Sequence, residues 1–222
     1  MAATDEKIKL DVVRQLYWDS RVDGSNINVT VKDGVVVLSG AASSFLERKA
    51  AFEDAWSVSG VFSVENHLRV ATPTGVPIRG DSEIKVNIEK LLEWNPALEA
   101  SEIKVSVQSS NVILEGVVDS FWKKVYTEEL ANGASGVIKV TNNLMVVPTK
   151  KVVDETIAKD VTEALQRNAA VNADSVGVKV ENGLVTLTGI VENWGAKTAA
   201  FFAALYTRGV VHVDDRLSVK RL

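Results

Sequence analysis

The sequence predicts an α+β fold repeated three times in tandem, each unit running α-β-β-α-β with two helices on one face of a three-stranded sheet. Three observations carry this. The same residues recur without a gap at offsets of 76 and then 73 positions, as in Ile8, Ile84 and Ile157. Each copy opens on apolar residues spaced four apart, the signature of one helix face. Each then passes to an apolar/polar alternation interrupted by a two-residue turn. The units are assigned to residues 1–73, 74–149 and 150–222.

Taken in order, the first element is a helix, because Ile8, Val12 and Leu16 form one stripe, matched by Ile84, Ile88, Leu92 and by Ile157, Val161, Leu165. Asp81 and Asp154 stand where an N-cap oxygen would satisfy the first free amides. A strand follows, with Ile27, Val29 and Val31 on one face and Asn28, Thr30 and Lys32 on the other. Asp33-Gly34 and Asn182-Gly183 predict two-residue turns with positive φ; Ser109-Ser110 takes their place in the second unit and leaves that turn less defined. The returning strand carries Val36 and Leu38 to Gly40. A second helix opens in the first unit on a capping box, Ser44 with Glu47. Gly60, Gly136 and Gly209 are expected to end these helices as left-handed C-caps. The last strand turns Val64, Leu68 and Val70 inward and Glu65, His67 and Arg69 outward, after a right-handed crossover. The linkers are residues 71–80 and 148–151, broken by Pro and Gly. The second is short enough to hold the second and third units close together. A unit of this size has a marginal core by itself, so contacts between units or with a partner should add to its stability.

Composition narrows the function classes. The formal net charge is −4, with no Cys and two His. Lys plus Arg against Asp plus Glu is 8 to 10, 7 to 10 and 10 to 9 in the three units. That balance argues against a nucleic-acid partner, which needs a surplus of cations. Without Cys there is no disulfide or thiolate site, and a metal site would have to rest on carboxylates; neither a metal nor another cofactor is expected. His67 and His212 have no recurring partner, and adjacent carboxylates such as Asp214-Asp215 and Glu128-Glu129 point apart, so no catalytic set is expected. No apolar run approaches the ~18 residues of a membrane span. The N-terminal residues lack a secretory pattern, which points to the cytoplasm unless a signal has been removed.

The combined motif is V-x-V-x-[DN]-G-x-V-x-L-x-G, seen from Val29 to Gly40, then G-V-x-x-V-x-N-x-L-x-V, seen from Gly60 to Val70. It resembles the BON domain, named for bacterial osmotically inducible and nodulation proteins, over essentially the whole chain. Asn66 and Asn142 match the family asparagine, and Asp215 departs from it. The resemblance implies a non-enzymatic, transport-associated domain of the bacterial envelope or periplasm, linked to osmotic stress and to phospholipid binding.

Two residue patterns are candidates for function. Phe45, Phe121 and Trp194 recur at the start of the second helix, followed three residues later by Arg48, Lys124 and Lys197. In the second unit this becomes Phe121-Trp122-Lys123-Lys124, a cluster suited to an anionic phospholipid or membrane surface; the alternative is a packing aromatic beside a solvated lysine. Phe52 and Trp56, with their counterparts Phe201 and Leu205, form a second apolar stripe that turns polar as Glu128 and Asn132 in the middle unit. At least two of these four are expected to contact another repeat or another subunit of a homo-oligomer. Trp18 and Trp94 are expected to cap the core or join that interface. Gly133-Ala134-Ser135-Gly136 has the spacing of an RNA-binding GxxG loop. Ser57 and Tyr206 replace Gly133 in the other copies, so it reads instead as a helix ending in glycine.

Overall fold

A computed structural model describes residues 4–71 and 79–220. Most of the first linker therefore lies outside the described residues. The first unit comprises α1 (Asp5–Trp18), β1 (Ile27–Lys32), β2 (Val35–Ala42), α2 (Phe45–Ser57) and β3 (Ser63–Val70). The second comprises α3 (Asp81–Glu93), β4 (Ile103–Gln108), β5 (Asn111–Val118), α4 (Phe121–Gly133) and β6 (Lys139–Val146). The third comprises α5 (Asp154–Arg167), β7 (Val176–Glu181), β8 (Leu184–Val191), α6 (Trp194–Leu205) and β9 (His212–Val219). Each sheet places its second strand in the middle, antiparallel to the first and parallel to the third. A single turn of 3-10 helix precedes β1, β4 and β7, which the periodicity did not reveal.

The cores are those the stripes require. Val12, Ile88 and Val161 are fully buried, as are Val36, Val112 and Val185 on the central strands. Deleting a large aliphatic side chain from such a site costs roughly 2–5 kcal/mol.

Asp81 and Asp154 do something other than cap. The N-caps are Gly80 and Val153, which offer no side-chain acceptor. The aspartates occupy the first helical position, and their carboxylates accept both amides of the hairpin turn: Ser109 and Ser110 at 2.8 and 2.9 Å, Asn182 and Gly183 at 2.7 and 2.9 Å. Asp5 holds Asp33 and Gly34 in the same way at 2.8 and 3.0 Å, while Thr4 caps α1. A carboxylate and two amides at a fixed separation thus fasten the opening helix to the hairpin in every unit. The turn is of one kind throughout, with both central residues at positive φ, including Ser109 at 49° and Ser110 at 62°. A non-glycine residue there costs on the order of 1 kcal/mol. Ser110→Gly should therefore raise the stability of the second unit by about 1 kcal/mol in chemical denaturation; a loss would show that the serine compensates its own strain.

Gly60, Gly136 and Gly209 do have positive φ, at 91°, 93° and 86°. They lie beyond the helix ends, after C-caps Val58, Ala134 and Tyr206. At Gly136 and Gly209 the constraint is close approach: a Cβ on Gly209 would stand 2.8 Å from Val152 Cβ and 3.0 Å from Ile157 Cδ1. The start of the opening helix packs against this turn. Gly133 is the last residue of α4, and nothing lies near its missing side chain.

Candidate functional site: an aromatic hub and two exposed tryptophans

The second helices of the three units meet one another. Trp56 of α2 stacks on Trp194 of α6, ring centres 4.4 Å apart and planes 11° from parallel. Phe52, one turn earlier, meets Trp194 edge-on at 5.5 Å. Trp56 packs against the cores of both the first and the third units. From α4, Phe121 is buried in the third unit's core and meets His212 edge-on at 5.0 Å. Trp122 and Val125 pack against the same cluster, and Lys49 of α2 bridges to Glu129 of α4 at 2.8 Å. Offset and edge contacts of this kind add about 0.5–1.5 kcal/mol each beyond burial. The exposed ion pair adds little.

The two other stripe residues lie elsewhere. Leu205 is buried in the third unit's core cluster, and Phe201 is half-buried against that cluster and meets Phe202 edge-on at 5.9 Å. The stripe turns polar in α4 for a visible reason. Glu128 there accepts from Asn142 Nδ2 at 3.0 Å, and Asn132 is buried.

Within the aromatic-basic cluster, Lys123 is not a free surface cation. Lys123 is a buried ammonium that donates to Glu99 at 2.9 and 3.0 Å and to Asp119 at 2.9 Å. Burial alone would lower its pKa, but the two carboxylates outweigh that and hold it above the usual lysine value. Asp119 is held low by Lys123 and Ser120 against its own desolvation. In the first unit the same position is Glu47, also buried. It accepts from the Asp23 and Ser43 amides at 2.8 and 2.7 Å and from the Ser43 hydroxyl. Glu47 thus completes a capping box displaced by one residue, with Ser44 capping the Glu47 amide at 3.1 Å. Between the two units the buried group changes sign, and its partners change with it, Asp23 to Glu99 and Ser43 to Asp119.

Lys197 is likewise engaged. Asn66 and Asn142 donate to the carbonyls of Arg48 and Lys124 at 3.0 and 2.9 Å and accept from the amides of Leu68 and Leu144. Asp215 keeps the acceptor half, from Leu217 N at 2.9 Å, but has no donor. The Lys197 ammonium instead bonds the Leu217 carbonyl and lies 3.6 Å from Asp215. Phe45, Arg48 and Lys124 are half-buried.

The residues left facing water are different ones. Trp18 and Trp94 are 78% and 81% exposed at the ends of α1 and α3, and Tyr17 is 77% exposed with its ring edge-on to Trp18. They cap no core. Trp18 is two positions past Leu16, which turns it to the opposite side of the helix from the buried stripe. Arg167 holds the corresponding place in α5. His67 is exposed, 3.3 Å from Glu65, and His212 is exposed beside Phe121. Among the described residues no group of three or more His, Asp or Glu could hold a metal ion, and no helix is long and apolar enough to cross a membrane.

Three copies of one small α+β unit, docked through an aromatic hub, define a tandem-repeat domain protein. The chain belongs to the BON domain family, whose model matches residues 4–72, 80–148 and 153–221. It is similar to the 21 kDa hemolysin of Actinobacillus pleuropneumoniae, 30% identical over 142 residues that span 62% of this chain and 73% of that one. It is similar also to osmotically-inducible protein Y of Escherichia coli K12, 28% identical over 143 residues spanning 63% and 71%. Among solved structures, the C-terminal domain of CdsD, a structural protein of the type III secretion system of Chlamydia trachomatis, aligns over 98% of both chains. Its identity is 15% and its TM-score 0.26.

Proposed function

We propose that this chain is a non-enzymatic binding protein of the osmotically inducible type, which associates with anionic phospholipid surfaces through the exposed aromatic ends of α1 and α3. The observation that carries the reading is the pair Trp18 and Trp94, each about four-fifths exposed at the same position of its unit. Trp and Tyr rings are amphipathic and favour the membrane–water boundary. A monomer gains nothing by holding them in water. Lys90, on the last turn of α3, supplies a nearby cation, worth up to about 1 kcal/mol near an anionic surface. The relatives named for hemolysis and osmotic induction are consistent with work at a membrane.

Trp18→Ser combined with Trp94→Ser should reduce flotation with phosphatidylglycerol vesicles at least tenfold and leave thermal unfolding unchanged, because neither ring is in a core. Flotation that persists in the double variant, or is absent from the parent protein, overturns the reading. The outward stripe of α1, Leu10, Val13 and Tyr17 at 49%, 44% and 77% exposure, favours a second reading as a self-associating scaffold. Light scattering separates the two: a lipid-free dimer that these substitutions dissociate supports the scaffold.

A further inference from the structure

We propose that the third unit holds a binding site for a single-chain anionic amphiphile, with the apolar chain in the seam between α5 and α6 and the headgroup in the adjoining cleft between the second and third units. This goes beyond surface association, since the ligand is one molecule in a groove rather than a bilayer, and Trp18 and Trp94 belong to other units.

The seam between the opening and second helices differs among the copies. In the second unit the matching positions are Leu91, Tyr126 and Leu130, of which Tyr126 and Leu130 pack against the core and the Tyr126 hydroxyl accepts from Asn95 Nδ2 at 2.7 Å. In the first it is occupied by polar groups, Gln15 donating to the buried Asp54 at 3.2 Å. In the third, the positions of Leu91, Tyr126 and Leu130 are all alanine: Ala164, Ala199 and Ala203. The result is an open trough of about 760 Å³. Its apolar wall is Phe202 and Tyr206, stacked at 5.8 Å and 13° and exposed at 41% and 65%. Side chains small enough to open a seam, flanked by large rings left in water, suit an apolar ligand and not a core.

Charge selects the rest of that ligand. Tyr206, Thr207 and Arg208 line both the trough and a second cleft of about 500 Å³, whose other walls include Trp122 and Lys150. Arg208 and Lys150 have no hydrogen-bond or ion-pair partner among the described residues. Lys123 and Asp119 also line this cleft, but they are paired with each other. The cleft therefore presents two uncompensated cations to an anionic head. Asp160 and Arg167 line the trough itself, and Arg167 is drawn to Glu163 at 3.4 Å. Asp160 disfavours an anion inside the trough, which orients the ligand with its head toward Arg208 and Lys150. A carboxylate and a phosphate meet these cations equally well.

The test is calorimetric titration of the full chain with dodecanoate and with lauroyl lysophosphatidylglycerol, both below their micellar concentrations. Dodecyl maltoside and inorganic phosphate serve as the uncharged and tail-less comparisons. Either or both anionic amphiphiles should bind at least tenfold more tightly than the two comparisons, and the preference between them identifies the head. Ala164→Leu with Ala203→Leu, which installs the residues of the second unit, should weaken that binding at least tenfold with no loss of thermal stability. Lys150→Glu with Arg208→Glu, both on the surface, should weaken it to a similar degree. Unaltered binding in either variant overturns the site, as does equal binding of dodecyl maltoside or of phosphate alone. Vesicle flotation should survive the leucine substitutions, and amphiphile binding should survive loss of Trp18 and Trp94, so each idea can fail without the other.

Discussion

Trp56→Glu should detach the first unit from the third while leaving the first unit folded. The ring lies between two cores and stacks on Trp194. Burying such a side chain contributes roughly 1.5–3 kcal/mol, and the stacked pair about 0.5–1.5 more. Small-angle scattering should show a larger radius of gyration for the variant, and amides of α2 facing α6 should lose hydrogen-exchange protection. A cycle built from Trp56→Ala and Trp194→Ala should give a coupling energy near 1 kcal/mol. If the radius is unchanged and the cycle shows no coupling, the hub is not what holds the units together.

Much of the fold was legible because the same apolar residues and glycines fall at fixed offsets, and a stripe of Ile8, Val12 and Leu16 admits only one buried face. The aspartates at the helix starts were visible too. They were misread because an N-cap and a clamp both ask for an acidic residue there, and only the constant separation from the turn, as in Asp154 to Asn182, distinguishes the clamp. Lys123 was misread for a different reason. A lysine reads as solvated unless its counter-charges are known, and Glu99 lies in another element, 24 residues earlier. Trp18 and Trp94 show the reverse case: they recur at one register just past the core stripe, and that recurrence does not say which way a ring points, so the core-capping half of the expectation fails. The trough in the third unit is visible in sequence as Ala164, Ala199 and Ala203 standing where the second unit has Leu91, Tyr126 and Leu130.

The buried position shared by Glu47 and Lys123 shows how three copies of one scaffold diverge. An acceptor facing two amides in one unit becomes a donor facing two carboxylates in the next, and Ala196 in the third needs no polar partner. Each arrangement satisfies the buried group, as a low-dielectric site requires. At this position the identity of the buried residue changes among the units while its polar contacts remain matched, so side chains can differ among units without change of fold.

Gly116→Ala should be the most damaging small substitution in the chain, and Gly40→Ala and Gly189→Ala should match it in their own units. These glycines have φ of 130°, 118° and 127°, a region closed to L-residues with a Cβ. Space forbids the substitution independently. A Cβ at the three positions would stand 2.0, 2.1 and 2.0 Å from the carbonyl oxygens of Glu102, Asn26 and Ser175. Those oxygens belong to the backbone just ahead of the first strand, so no side chain can turn aside to make room. The hairpin must open or the central strand must shift. Either disrupts pairs such as Ile103 with Gly116 that begin the ladder. Backbone strain of about 1–3 kcal/mol and the lost pairing together should cost on the order of 3–5 kcal/mol. A unit of about 70 residues has roughly 4–10 kcal/mol in all. Hydrogen exchange on Gly116→Ala should show the second unit opening while β1–β3 and β7–β9 keep their protection. Gly133→Ala is the control: it lies at the end of α4 with open space around it, and should be neutral or stabilising by up to about 1 kcal/mol. Equal melting temperatures for Gly116→Ala and Gly133→Ala would mean that the strand before the glycine yields easily, and that the recurrence of glycine at this position has some other cause.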